Sequence, residues 1–293
     1  MDSPIQDDQL RQFILTAQKN EITEYHIYEK LARTAQNPEN QKILEKISTE
    51  ELTHYQFWEE YTQISVSPNT LMIWVYYLIA RIFGLTFGIK LMEKGEERAQ
   101  ESYAKIVDSV PEAERIMKDE DEHEKELIGL IDEERLKYVG SMVLGLNDAL
   151  VELTGALAGF TFALQNAQVI AMAGLITGIA ASFSMAASEY LSTKSGESSL
   201  NPTKASIYTG GAYILTVGFL IAPFLLLEDH FLCLGLTVIN AILIILIFTF
   251  YISVAKDLPF KKRFMEMAFI SLGIAGLSFL IGIVVRVVLN VDI

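Results

Sequence analysis

Cysteine is almost absent: Cys233 is the only one in 293 residues. That excludes an intrachain disulfide and a cysteine-based metal site. Positive charge is scarce, with 23 Lys and Arg against 37 Asp and Glu. A chain this acidic repels nucleic acid and attracts cations. No apolar leader opens the sequence. The first residues, MDSPIQDDQL, are polar and acidic, unlike a signal or transit peptide, so the N-terminal part is expected to stay in the cytosol. Histidine is sparse as well, with four in all, three of them before residue 138.

These shortages are uneven along the chain. Residues 1–138 hold 28 Asp and Glu against 16 Lys and Arg, whereas residues 139–293 hold only 9 and 7. The acid lies in the first part and the hydrophobicity in the second. We therefore expect two domains with different solvents, 1–138 and 139–293. Five apolar segments after Arg135 reach the roughly 17–25 residues that a spanning helix needs: about 139–164, 168–193, 206–227, 231–254 and 265–290. Lys194, Lys204, Lys256, Lys261, Lys262 and Arg263 fall in the connections after the second and fourth of these. The connections after the first and third carry no Lys or Arg. The excess of positive charge on the cytosolic side then predicts a cytosolic N-terminal domain and a C-terminus on the outer side of a cytoplasmic-type membrane.

The first domain reads as helices near 5–35 and 39–64, broken at Asn37-Pro38, and near 86–109 and 112–137, broken at Val110-Pro111. Two such hairpins make a four-helix bundle. Between them, Leu71 to Leu91 is nearly as apolar as a span. Crossing a membrane there would separate the two hairpins, and Arg81 in its middle would be costly in lipid. The expectation is a helix on the membrane surface or in a dimer interface.

Two Glu-x-x-His sequences stand out, Glu51 to His54 and Glu120 to His123. Residues three apart share a helix face, so each motif aims a carboxylate and an imidazole at one point. The other two helices offer Glu21 and Glu24, and Glu93, Glu96 and Glu97. Glu21 precedes Tyr28, and Glu96 precedes Tyr103, by the same spacing, which favours Glu96 over Glu93. One Glu from each of two helices plus Glu-x-x-His from each of the others is the ligand set of di-metal carboxylate bundles. Carboxylates offset the repulsion between two divalent ions, and such oxygen–nitrogen sites accept iron or manganese. The candidate metal ligands are Glu21, Glu51, His54, Glu93, Glu96, Glu120 and His123. His26 lies on another face and is read as a surface or packing residue. No catalytic residue is assigned.

On these motifs, residues 8–137 resemble the rubrerythrin branch of the ferritin-like superfamily. The resemblance implies a di-iron site that binds Fe(II) and oxidises it with oxygen or peroxide. The cysteine-ligated module of true rubrerythrins is missing.

Ionisable groups in the apolar half are few, and each is a functional candidate because of its cost in lipid. The first segment carries Asp148 and Glu152, one turn apart, and the second carries Met185 and Glu189. A thioether beside carboxylates suits a softer divalent ion such as Fe(II) better than Mg(II) or Ca(II). Gly155-x-x-x-Gly159 and Gly174-x-x-x-Gly178 permit close helix packing, including across a dimer. On Gly145-Leu-Asn-Asp148-Ala-Leu and Ser184-Met185-Ala-Ala-Ser-Glu189-Tyr-Leu-Ser, this half resembles the vacuolar iron transporter family. That resemblance implies a five-span fold and a homodimer whose axis is lined by Asp148 and Met185. It also implies proton-coupled export of Fe(II) or Mn(II). Relatives of the plant type carry an acidic insert after the second span, which is here only Thr193 to Ala205, and the acidic N-terminal bundle is expected to take over that role. Asp132-Glu133-Glu134 between the domains could relay cations or simply end a helix. The whole chain resembles the fusion described as membrane-bound ferritin or erythrin–vacuolar iron transporter. The expected fold is all-α, a ferritin-like four-helix bundle followed by a five-helix transmembrane domain, with the bilayer and a second copy as partners. Two rival readings are a membrane-anchored ferroxidase or peroxide scavenger, and a manganese transporter.

Overall fold

A computed structural model describes residues 8–97, Gly129, 134–196 and 199–289. All regular structure among the described residues is helical. The chain divides into two compact units, Met1–Glu133 and Glu134–Ile293.

In the first unit, α1 (Asp8–Thr34) and α2 (Pro38–Thr62) form an antiparallel pair. The Asn37 side chain accepts from the Glu39 N–H at 2.9 Å, and Pro38 opens α2 where no intrahelical donor is lost. Gln63 ends α2 in the left-handed region. The extended stretch that follows is tied back to α1. The Gln18 amide donates to the Ile64 carbonyl at 2.7 Å, and the Asn69 N–H donates to the Thr23 hydroxyl at 2.9 Å. Then come α3 (Thr70–Phe83) and α4 (Leu85–Glu97). Ile27, Tyr28 and Leu31 of α1 meet Leu44 and Ile47 of α2, and Ala80, Ile89 and Met92 close the cluster.

The apolar segment 71–91, expected as one helix, is two. Gly84 stands between them at φ 112, a conformation that side chains with a Cβ rarely adopt. Of the expected second hairpin, Leu85–Glu97 is described. The remainder up to residue 133, including the break at Val110-Pro111, lies outside the described residues.

The second unit opens with a helical turn, Glu134–Lys137, followed by five helices. These are α5 (Val139–Leu164), α6 (Ala167–Ser195), α7 (Pro202–Leu226), α8 (His230–Ala255) and α9 (Phe260–Leu289). All five are long and apolar enough to cross a membrane. They fall at the expected places, with ends shifted by a few residues. Asn166, Asn201 and Asp229 cap α6, α7 and α8, each accepting a backbone N–H of the first turn. The central helix is α5, which packs against each of the other four. Its Leu150, Leu153 and Leu157 meet Val217, Leu220, Ile221 and Phe224 of α7 in the core.

Two glycine pairs are used inside the chain. A Cβ at Gly155 would meet Ile274 and Ser278 of α9, and one at Gly159 would meet Ser278. Gly174 and Gly178 face Leu157, Ile221, Val217 and Leu153. The close helix packing expected of these motifs is present, and within the single chain it is made by the chain's own spans.

Pro223 lies inside α7. Having no N–H, it leaves the Phe219 carbonyl without its helical donor. The Asn240 amide of α8 supplies a replacement at 3.0 Å. Two further side chains on the same face of α8 continue the pattern. Thr237 donates to the Leu220 carbonyl at 2.8 Å, and the Cys233 thiol to that of Pro223 at 3.3 Å. Asn240→Leu should destabilise the unit by about 1–2 kcal/mol. Adding Pro223→Ala, which restores the helical N–H, should recover most of that loss. Thermal unfolding of the four proteins of this cycle in detergent measures both effects.

Candidate metal centres

In the first unit, α1 supplies Glu21 and α2 supplies Glu51 and His54. One ligand atom of each lies within 4.8 Å of the others. His54 Nδ1 is 3.7 Å from Glu21 Oε2 and 3.8 Å from Glu51 Oε2. Those separations are longer than a hydrogen bond. Glu21 and Glu51 are buried, with 6% and 5% of their surface exposed, and so is Glu24. A buried carboxylate is costly unless a cation or hydrogen bonds compensate it. Two carboxylate oxygens and one imidazole nitrogen suit Fe(II) or Mn(II), so the residues present fit a metal. The local reason for the convergence is simple. Glu51 and His54 are one turn apart on α2, and the hairpin at Asn37-Pro38 brings that face against Glu21.

The structure thus joins three of the seven predicted ligands. Glu93 and Glu96 fall on α4, but their side chains are outside the described part. Glu120 and His123 lie outside the described residues. His26 is half-exposed, tilted against Tyr25 with ring centroids 4.8 Å apart, and near Glu29 rather than the cluster. That agrees with its reading as a packing residue.

In the second unit, the candidates form two groups. Asp148 and Glu152 interact side chain to side chain along α5. The Tyr213 hydroxyl of α7, itself buried, donates to Glu152 Oε2 at 3.0 Å. Glu189 of α6 is held elsewhere, accepting from the Ser141 hydroxyl of α5 at 2.6 Å. Met185 is half-buried and packs on the apolar core. Glu152 is exposed on the single chain, and Asp148 is half-buried. Sequence reasoning does not pick out Tyr213 or Ser141. Tyr213 is a phenol in an apolar span, which is a usable signal; Ser141 has none. Of the acidic connection, Asp132 and Glu133 are outside the described residues. Glu134 forms an ion pair with Lys204 at 2.8 Å, exposed on both sides.

The Tyr213–Glu152 contact depends on how closely α5 and α7 approach. The Thr209 hydroxyl donates to the Ser141 carbonyl at 3.0 Å. One turn further on, Gly145 lies directly against the Thr209 backbone, where a Cβ would overlap the carbonyl.

Residues 139–200 match the family model described as the VIT family. With five membrane-length helices, that match supports an integral membrane protein with a vacuolar iron transporter-type membrane domain and suggests a metal-ion transporter. No curated protein and no solved structure matches the chain.

Two measurements check the geometry. His54→Ala or Glu51→Ala should weaken Mn(II) or Fe(II) binding to the full chain about tenfold or more, a cost of roughly 1.4 kcal/mol, by metal titration. Gly145→Ala should destabilise the protein by about 1–3 kcal/mol, the usual penalty of overpacking, by thermal unfolding in detergent.

Proposed function

We propose that the protein exports Fe(II), and Mn(II) by the same chemistry, from the cytosol. The observation that carries this reading is that the family match spans α5 and α6, the two helices that hold Asp148, Glu152, Met185 and Glu189. Carboxylates placed in membrane-spanning helices mark ion pathways, and a thioether among them favours a softer divalent ion. Glu189 meets the ion nearer the cytosolic end. Asp148 and Glu152 take it further, with Tyr213 fixing the orientation of the Glu152 carboxylate through its hydrogen bond. Protons are the proposed counter-ion, and two copies form the working unit.

The first unit acts before the pathway. Its acidic surface concentrates divalent cations, and Glu21, Glu51 and His54 bind them, with Glu93, Glu96, Glu120 and His123 completing a ferritin-like di-metal site. A bound iron pair would add the capacity to react with oxygen. In this reading the chain's own residues bind and orient the metal. The buried Glu21 and Glu51 support a second reading, a membrane-anchored ferroxidase, because enclosed carboxylates are what an oxidising site needs as much as a capturing one.

Transport of Fe(II) and Mn(II) into liposomes separates the two. Asp148→Ala should reduce flux at least about tenfold, while His54→Ala/His123→Ala should weaken or deregulate it. A pH change inside the vesicles that tracks metal flux would establish proton coupling. Absence of flux in the intact protein, with oxygen uptake on Fe(II) addition that the histidine pair abolishes, would establish the enzyme instead.

A further inference from the structure

The acidic first unit contains one stretch without acid. Between Glu60 and Glu93 there is no Asp or Glu, and the only charged side chains are Arg81 and Lys90. Helix α3 lies in this stretch and is apolar on all sides apart from Arg81. One face, with Ile73, Tyr76, Tyr77 and Ala80, packs on the α1–α2 core. The opposite stripe is Leu71, Val75, Leu78 and Ile82, at helical spacing. These four are 72%, 38%, 49% and 62% exposed, and Trp74 beside them is 50% exposed. A helix hydrophobic all round is normally covered all round, and an exposed apolar stripe of this kind marks an interaction surface.

The surroundings of the stripe say what covers it. Lys30 of α1 sets its ammonium 3.1 Å from the Trp74 ring centroid and 4.9 Å from that of Tyr77. Arg81 reaches the Thr34 carbonyl at 3.5 Å. The stripe is thus bordered by cations and by Trp and Tyr rings. That combination suits the level of the lipid headgroups, where amphipathic rings collect and cations meet anionic lipid. The helix has 14 residues, about 21 Å at 1.5 Å per residue. That is too short to cross a bilayer, which takes about 20 residues, but ample to lie along one. The chain's own five spans keep a bilayer within reach.

We propose that α3 lies in the plane of an anionic lipid surface. The Leu71, Val75, Leu78 and Ile82 stripe enters the acyl boundary, and Lys30 and Arg81 sit at the headgroups. A second copy is the alternative occupant, and the Trp and Tyr rings with Lys30 and Arg81 at the border favour the lipid surface over it.

Trp74 provides the test, since the only other tryptophan, Trp58, is buried at 1% exposure. The full chain is placed in nanodiscs containing phosphatidylglycerol, with acyl chains brominated near the headgroup end. The emission lost in Trp74→Phe isolates the Trp74 component. We expect brominated lipid to remove most of that component and iodide in the buffer to leave it unchanged. Quenching by iodide but not by lipid would place the stripe in water and overturn the proposal. Protection from both would overturn it equally, and disulfide cross-linking of Leu78→Cys between copies would then identify a second copy as the cover. Equal lipid quenching in purely zwitterionic discs would overturn the electrostatic part.

Discussion

The contact on which the second unit depends is the close approach of α5 to α7 at Gly145. Without a Cβ, Gly145 lets the Thr209 backbone come directly against α5. Everything polar in the neighbourhood is indexed to that meeting point. Thr209 donates to the Ser141 carbonyl, and the Ser141 hydroxyl turns to Glu189 on α6. Tyr213 lies one turn beyond Thr209 and reaches Glu152. A single small residue thereby sets the distance across which Glu152 finds its donor on α7. In lipid no water can substitute for that donor, so the spacing is a condition for keeping the carboxylate in the span at all.

The two units handle negative charge by different means. In the first, Glu21, Glu24 and Glu51 are enclosed between helices, and His54 stands beside Glu21 and Glu51. That donor set suits a divalent cation. In the second, Glu152 is exposed on the single chain and Asp148 half-exposed, each oriented by a neighbour. Their exposure leaves these carboxylates accessible from outside the single chain. The proposed exporter would need both properties, tight enough capture and weak enough passage, and the sequence puts the two sets of acids in different solvents.

Much of this is legible without the structure. The five spans are legible because a run of about 20 apolar residues matches the thickness of a bilayer and exceeds what a buried core helix needs. The α1–α2 hairpin is legible because Asn37-Pro38 both ends one helix and caps the next. Glu21, Glu51 and His54 can be grouped because helical periodicity puts Glu51 and His54 on one face. The apolar stretch 71–91 reads as a single helix because its hydropathy is continuous. Gly84 breaks it through a backbone conformation that composition does not display. The glycine motifs are recognisable as packing surfaces, but their partners are not, since Gly155 and Gly159 contact a helix more than a hundred residues away in the chain.

The sequence by itself determined which residues stand out in their solvent: the acids in the spans, the histidine-bearing face of α2 and the five apolar segments. Those are properties of one residue or one helical turn, and periodicity carries them. The tertiary structure decided the pairings. Tyr213 with Glu152, Ser141 with Glu189, Asn240 with the carbonyl freed by Pro223 and Gly145 with Thr209 all join residues from different helices. Which faces meet depends on the rotation and separation of whole helices, and those are fixed only when all the spans pack together.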